Sequence, residues 1–163
     1  DYAVKNNCNV MSWPLTRSFS EAELYKRQLD QAINKNGNNF NPIFAMMRHT
    51  ALYETEKGRD QAIKAIQTCL GQFENLFRNL GDVSEGFPKQ IPLDELRGRK
   101  EYDANMLEEN LMFGSPDTVI EKLKRYQELG VDEYIYYASM GLDLEAQKRS
   151  MELFCKEVIP EFT

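Results

Sequence analysis

The chain has 163 residues, of which 42% are hydrophobic and 28% are charged, and this balance is typical of a globular domain. Its formal net charge of −6 argues against nucleic acid as a partner, because phosphate binding needs clustered Lys and Arg. No apolar run approaches the roughly 18 residues of a membrane span. The three cysteines are far apart and there is a single histidine, which disfavours a zinc site or a Ser-His-Asp hydrolase. This cysteine usage favours a reducing cytoplasm.

The first half of the chain alternates between strand and helix patterns. Residues 8–13 predict a short strand, and Ser20 has the spacing of an N-cap for a helix that ends at Asn36–Gly37. Residues 43–53 are rich in apolar and β-favouring types and predict a second strand. Residues 60–80 carry one broad apolar stripe at helical period, which predicts a long buried helix.

The segment 82–113 has a different composition, with several Gly and Pro residues and many charges. Connections of this length inside a compact domain are usually lids, binding loops or disordered segments. We therefore predict a lid or mobile-loop insertion at 82–113, before the last two helices, with a short helix within 102–111.

The last third of the chain repeats the alternation. Ser115-Pro116-Asp117 is a strong helix start, because Ser caps the helix, Pro fits its first turn and the acid meets the dipole. Residues 131–138 predict a strand, and residues 144–158 predict the last helix. Strands that alternate with helices indicate βαβ units and a parallel sheet, so we expect an α/β fold and a single domain over 1–163.

Five segments of the chain resemble those of a known family and occur in the same order along the sequence. They are Phe113–Ile120 with its Gly-Ser-Pro-Asp helix start, Leu129–Ile135 with its Leu-Gly-Val-Asp strand entry, the last-helix pattern Met151–Pro160, and the upstream strands Arg48–Thr55 and Cys8–Trp13. Together they are similar to the C-terminal portion of the bacterial luciferase-like flavin-dependent monooxygenases. The resemblance covers essentially the whole chain.

This resemblance implies about three βα units of a TIM-type (β/α)8 barrel, a fold that normally needs ~250 residues. It also implies reduced FMN supplied by a separate flavin reductase, with dioxygen and an aldehyde, alkane or similar apolar small molecule as substrates. A deazaflavin is the alternative cofactor. Since the other strands of such a barrel have no counterpart here, the isolated chain is expected to be inactive and to need a missing segment or another copy, as a homo- or hetero-oligomer. A proteolytic fragment is a further alternative.

Candidate cofactor-binding residues follow from the same resemblance, since barrel chemistry lies at the carboxyl ends of the strands. Trp13 would flank the flavin or the substrate, and Ser12 beside it could hydrogen-bond a flavin ring edge. The alternatives are that Trp13 packs against the following helix and that Ser12 caps the turn. Tyr137 and Ser139 end the last strand.

The predicted lid contains a basic cluster of Arg97, Arg99 and Lys100. The guanidinium groups of its arginines could bind a flavin phosphate through bidentate bonds. The alternative is that the cluster belongs to a solvated charged loop. His49, placed at the start or middle of a strand, is interpreted as a structural histidine away from the rim. The sequence shows no dedicated general acid or base.

Two other classes of function stay open at the level of sequence. One is a non-catalytic flavin-binding or partner-stabilising subunit, and the other is an interaction domain that uses βα units without a cofactor. A deazaflavin-dependent oxidoreductase of the same superfamily is a further enzyme alternative. Neither nucleic acid nor a membrane is expected as a partner.

Overall fold

The structure is a computed structural model that describes residues 1–36, 39–77, 82–89 and 91–163. Its helices and strands, in chain order, are α1 (Tyr2–Lys5), β1 (Val10–Ser12), α2 (Phe19–Asn36), β2 (Phe44–Leu52), α3 (Glu56–Phe77), β3 (Val83–Ser84), β4 (Phe87–Pro88), α4 (Leu93–Arg97), α5 (Ala104–Asn110), β5 (Met112–Gly114), α6 (Pro116–Leu129), β6 (Glu133–Tyr137) and α7 (Leu144–Leu153). A π-helical turn over Phe154–Val158 and a 3-10 turn over Ile159–Phe162 follow α7. Among the described helices, none is long and apolar enough to cross a membrane.

The main sheet is parallel and is built around β2. Strand β1 pairs with its first part, with Ser12 opposite Met46, and β6 pairs along its middle, with Tyr137 opposite His49. The short strand β5 pairs with the last three residues of β2. The parallel sheet and the mixed α/β class predicted from the alternation of elements are thus confirmed.

Main-chain hydrogen bonds show which edge of β2 each neighbour occupies. Ile43 accepts from Val10 of β1 and Tyr53 donates to Gly114 of β5, whereas Phe44 accepts from Asp132 beside β6. The backbone N–H and C=O groups of successive strand residues point to opposite edges of the strand. Ile43 and Tyr53 have odd numbers, so β1 and β5 lie on the same edge of β2. Phe44 has an even number, so β6 lies on the other edge.

One face of this sheet is covered by helices. The even-numbered residues Phe44, Met46 and Leu52 lie in an apolar cluster with side chains of α2, α6 and α7, among them Leu29, Ala32, Val119, Leu123 and Leu153. Fully burying each large side chain stabilises the fold by roughly 1.5–3 kcal/mol, so this cluster is the main core of the chain. The opposite face is less covered, since Met11 is 57% exposed and Met47 and Ile135 are only half-buried.

The residues that were predicted to begin and end helices can be compared with the helix ends in the structure. Ser115 caps α6 by accepting from the backbone N–H of Thr118, Pro116 occupies the first turn, and Gly130 ends the helix with φ of 88°. A side chain is strained at that φ, which explains glycine there. One signal acts differently: α2 begins at Phe19, so Ser20, the predicted N-cap, lies inside the helix.

The segment 82–113 contains regular structure along most of its described length. It holds the β3–β4 hairpin, α4, α5 and β5, and the predicted short helix within 102–111 is present as α5. A small core of Ile91, Leu96 and Tyr102 packs against Leu70 of α3. The segment is therefore docked on α3, and lid closure remains a prediction.

Candidate functional site

The sheet register brings three rings together where β1 and β6 end. Strand β1 stops at Ser12, opposite Met46, while β2 continues for six more residues. His49 lies in that continuation and is paired with Tyr137, the last residue of β6. Trp13, immediately after β1, is adjacent to both. His49 is therefore at the rim formed by its neighbouring strands, which corrects the sequence-based interpretation that placed it away from the rim.

Trp13 is the centre of this aromatic group. Its ring centroid is 5.2 Å from that of Tyr137, 5.6 Å from that of His49 and 6.4 Å from that of Phe73 in α3, with interplanar angles of 82°, 63° and 83°. His49 and Tyr137 lie 4.6 Å apart and are tilted by 35°. Edge-to-face pairs of this kind contribute about 0.5–1.5 kcal/mol each beyond area burial, so the rings hold one another in a fixed arrangement.

A cavity of about 380 Å³ opens beside these rings, between the rim of the sheet and α3. Its lining includes Trp13, Leu15, His49, Leu70, Phe73 and Tyr102. Small-molecule sites are concave, mostly apolar and at least ~300 Å³ in volume, and this cavity meets those criteria. It is mainly aromatic and aliphatic, with few polar groups.

Two of those polar groups lack a hydrogen-bond partner within the described part of the chain. They are Nε1 of Trp13 and Nδ1 of His49, and both atoms are buried. His49 as a whole is 1% exposed. An unpaired buried donor or acceptor costs about 1–3 kcal/mol, so these two atoms lower the stability of the described part of the chain unless a group outside it pairs with them.

His49 is neutral at physiological pH. Burial, followed by the positive charge of neighbouring Arg48, lowers the pKa of the imidazole from 6.5 to about 4. A neutral imidazole has one N–H donor and one acceptor nitrogen, and can therefore complement a ligand hydroxyl or carbonyl.

The outer wall of the cavity is tied to α3 by a carboxylate. Glu74 accepts from the hydroxyl of Tyr102 at 2.5 Å and forms an ion pair with Arg99, which also contacts Glu95 at 3.1 Å. Burial, together with the Glu74 bond, raises the pKa of the Tyr102 phenol. Arg99, a predicted phosphate ligand, is thus engaged in holding the 82–113 segment against α3.

The loop that carries Trp13 is fixed by a buried arginine. The side chain of Arg48, which is 0% exposed, donates to the carbonyl oxygens of Leu15 at 3.3 Å, Arg17 at 2.7 Å and Asn110. Asn110 donates from its own amide to the carbonyl of Thr16 at 3.1 Å. These bonds join the exit of β1 to the end of α5, and so set the position of Trp13 relative to the cavity.

Comparison with known proteins bears on this geometry. The chain is 27% identical over 163 residues to the flavin-dependent trigonelline monooxygenase, oxygenase component, of Acinetobacter baylyi, covering 100% of this chain and 45% of that protein. The resemblance to flavin-dependent monooxygenases is confirmed. The crystal structure of monooxygenase RslO1 from Streptomyces bottropensis superposes with a TM-score of 0.63 at 17% identity, over 99% of this chain and 44% of that one. No protein-family model matches the chain.

The chain therefore spans less than half the length of these two monooxygenases. Within the described residues, no group of three or more His, Cys, Asp or Glu side chains is placed to hold a metal ion.

Of the predicted cofactor-binding residues, Trp13 and Tyr137 converge at the aromatic group. Ser12 shares the face of Val10, which packs toward the helix-covered core, and so points away from the cavity. Ser139 is exposed beyond the end of β6. The side chain of Arg97 lies outside the described part of the chain. Their cofactor roles remain predictions.

Sequence reasoning missed Phe73 and Tyr102 as cavity residues, and misjudged His49. Phe73 belongs to the apolar stripe of α3, yet it is 37% exposed, and its position on the helix gave no sign of this. One sequence signal for His49 was available, because alternate residues of a strand share a face. His49 therefore lies on the same face of β2 as Ala45 and Met47.

Proposed function

We propose that this chain is the C-terminal part of a luciferase-like flavin-dependent monooxygenase, contributing about three βα units to a TIM-type (β/α)8 barrel. The parallel sheet and the half-covered face opposite the helices support the barrel, because an interior face needs the remaining strands to bury it. The similarity to a flavin-dependent oxygenase component supports the activity.

The observation that carries the proposal is the aromatic cavity beside Trp13 at the carboxyl end of β1, where Tyr137 at the end of β6 packs against the Trp13 ring. In TIM-type barrels the active site occupies this end of the strands. The residues that line the cavity suit a planar heterocycle, since Trp13, Phe73 and Tyr102 offer flat aromatic surfaces and the imidazole of His49 lies among them.

In this proposal the cofactor is reduced FMN, delivered by a separate flavin reductase, and it supplies the activation of dioxygen. The chain's own residues bind and orient. Trp13 and Tyr137 line the place where cofactor and apolar substrate meet, and neutral His49 orients a polar atom of the ligand without transferring a proton.

The 82–113 segment keeps water out of the cavity in this account. Tyr102 closes the cavity on the side of α3, and the Glu74–Arg99 pair holds that wall in place. Excluding water protects reactive oxygen chemistry from unproductive hydrolysis. We further propose that the protein is cytoplasmic and forms a homo- or hetero-oligomer, and that Arg97 assists the cofactor phosphate.

The test uses a full-length form of the protein that contains this chain. FMN binding is followed by flavin fluorescence, and dioxygen uptake is followed with a reductase and NADH. The proposal predicts binding of FMN and reductase-dependent uptake that rises with substrate. A full-length protein that bound neither FMN nor a deazaflavin would refute it, and binding without substrate-stimulated uptake would favour a non-catalytic flavin binder.

A further inference from the structure

Helix α5 and strand β5, the inner part of the 82–113 segment, are bonded to three other elements. Strand β5 pairs with β2 in the main sheet. The carboxylate of Glu108 in α5 accepts from Arg59 of α3 at 2.8 Å. The side-chain amine of Lys122 in α6 donates to the carbonyl oxygens of Glu108 at 2.5 Å, Leu111 at 2.8 Å and Phe113 at 2.9 Å. Moving α5 would break several of these bonds at once, so we expect it to stay in place.

Residues 91–102, which we call the flap, precede α5 and are attached in another way. The main-chain hydrogen bonds described for the flap join its own residues, such as Arg99 to Leu96 and Tyr102 to Arg99. The attachment to α3 uses side chains instead, among them Gln67, which donates to the carbonyl of Tyr102 at 2.8 Å. A segment held mainly by side-chain contacts opens at a lower free energy than a strand of the sheet.

A glycine inside α3 makes room for the flap. Gly71 is buried, and a β-carbon at this position would lie only 2.8 Å from Cδ1 of Leu96 and 3.5 Å from the carbonyl oxygen of Ile91. Leu96 is 0% exposed and therefore fills the space that a side chain at Gly71 would need. Glycine weakens a helix relative to alanine, so the close approach of Leu96 explains its presence in the interior of α3.

Glu74, three residues after Gly71, bonds the same flap. Residues three apart on a helix are neighbours on its surface, so Gly71 and Glu74 face the flap together. The Glu74 carboxylate accepts from the hydroxyl of Tyr102 at 2.5 Å and from the guanidinium of Arg99. Glu74 and Tyr102 both line the cavity beside Trp13. Lifting the flap from α3 would therefore remove Tyr102 from the cavity wall.

We infer that residues 91–102 close the cavity as a flap by seating Leu96 at Gly71, while α5 and β5 stay in place. The movement pivots at Asp103, the N-cap of α5. This inference rests on the proposed function, because the flap controls access to the same cavity. It confines the moving part of the predicted lid to one portion of the 82–113 segment.

The first test is hydrogen exchange of the full-length protein without flavin, read by mass spectrometry. Gly71→Met places a side chain where Leu96 sits, and methionine favours a helix more than glycine does. We expect amides of the flap to exchange at least about tenfold faster in this variant, and amides of α5 to keep the wild-type rate. Lys64→Met adds the same side chain at an exposed position of α3, and should alter neither rate.

Two results of that experiment would overturn the inference. Equal acceleration in the flap and in α5 would show that the segment opens as one unit, and unchanged exchange in the flap would show that Gly71 does not seat it. Tyr102→Phe is a second variant for the case in which Gly71→Met does not fold. It keeps the ring, removes the bond to Glu74 and should accelerate exchange in the flap about tenfold, again without an effect on α5.

The second test asks whether the flap covers the cavity. Trp13 is the single tryptophan of this chain and lines the cavity, so quenching of its fluorescence by acrylamide reports access from solvent. A Trp13→Phe protein supplies the signal of any tryptophan elsewhere in the full-length form. We expect Gly71→Met to raise the quenching constant of Trp13 about twofold and Lys64→Met to leave it unchanged. Faster exchange of the flap with unchanged quenching would refute the inference.

Both measurements are made without flavin and therefore separate this inference from the proposed function. A flap that opens on its own in a protein that binds neither FMN nor a deazaflavin would support the inference and refute the oxygenase. Reductase-dependent oxygen uptake in a protein whose flap and α5 exchange together would support the oxygenase and refute the flap.

Discussion

Replacing His49 with phenylalanine should remove a pH dependence of stability that the buried imidazole imposes. The pKa of His49 falls from 6.5 to about 4 on folding, because burial and Arg48 disfavour its charged form. Between about pH 4 and 6.5, His49 is therefore mostly protonated in the unfolded chain and mostly neutral in the folded state. The stabilisation from keeping His49 neutral is fully present above pH 6.5 and is lost as the pH falls toward 4.

The magnitude follows from the size of the shift. A change of one pKa unit corresponds to about 1.4 kcal/mol, so the full loss across the window is about 3 kcal/mol. At pH 5 the unfolded chain is almost completely protonated at this residue while the folded chain is largely not, which gives a loss of about 2 kcal/mol relative to pH 7.5. Phenylalanine has a similar shape and no proton to bind.

The assay is urea unfolding of the wild type and His49→Phe at pH 7.5, 6 and 5, with the free energy of unfolding compared at each pH. The difference between the two proteins isolates His49 from the carboxylates, which both proteins share. We expect the wild type to lose about 2 kcal/mol more than the variant between pH 7.5 and 5. Equal losses in the two proteins would show that His49 titrates normally and is not buried as described.

Other substitutions test the parts that position the site. Arg48→Met should lower the free energy of unfolding by about 3 kcal/mol in urea, because carbonyls of the Trp13 loop lose their donor; a loss below about 1 kcal/mol would contradict that role. Ser115→Ala should lower the free energy of unfolding by about 1 kcal/mol in the same measurement, because α6 loses its N-cap; no change would show that the cap does not stabilise the helix. Trp13→Phe should weaken FMN binding about tenfold in a fluorescence titration. It should also lower the free energy of unfolding by about 1 kcal/mol in urea, because the smaller ring packs less fully against His49, Phe73 and Tyr137; a loss of stability with unchanged FMN binding would make Trp13 a packing residue only.

The elements with strong local signals were predictable from the sequence. The α6 helix carries Ser115, Pro116 and Gly130 at its ends, and the structure uses all three. Strand β2 was predicted over 43–53 and spans Phe44–Leu52. These elements are specified by capping chemistry and periodicity, which act over a few residues and need no knowledge of the rest of the fold.

The strands β3, β4 and β5 were not predicted. Each has two or three residues, too few to show an alternating pattern, and β5 depends on pairing with a segment about 60 positions earlier in the chain. Short strands of this kind are determined by long-range contacts.

The site was predictable in part for the same reason. Trp13 and Tyr137 were found because they follow strands, and strand ends can be located from the sequence. Phe73 and Tyr102 reach the cavity only through the docking of α3 and of the 82–113 segment, held by the Glu74–Arg99 pair. The rim position of His49 required the relative lengths and register of β1, β2 and β6, which no local pattern reveals.

We propose that the strands of this chain form part of a barrel whose rim holds a reduced flavin for oxygen transfer. The most direct test of this proposal is turnover of the full-length protein with reduced FMN, an apolar small-molecule substrate and isotopically labelled dioxygen, followed by mass spectrometry of the product. The account predicts one labelled oxygen atom in the product and loss of that label in a Trp13→Ala variant. Complete recovery of the label in hydrogen peroxide or water, with the substrate unchanged, would contradict it.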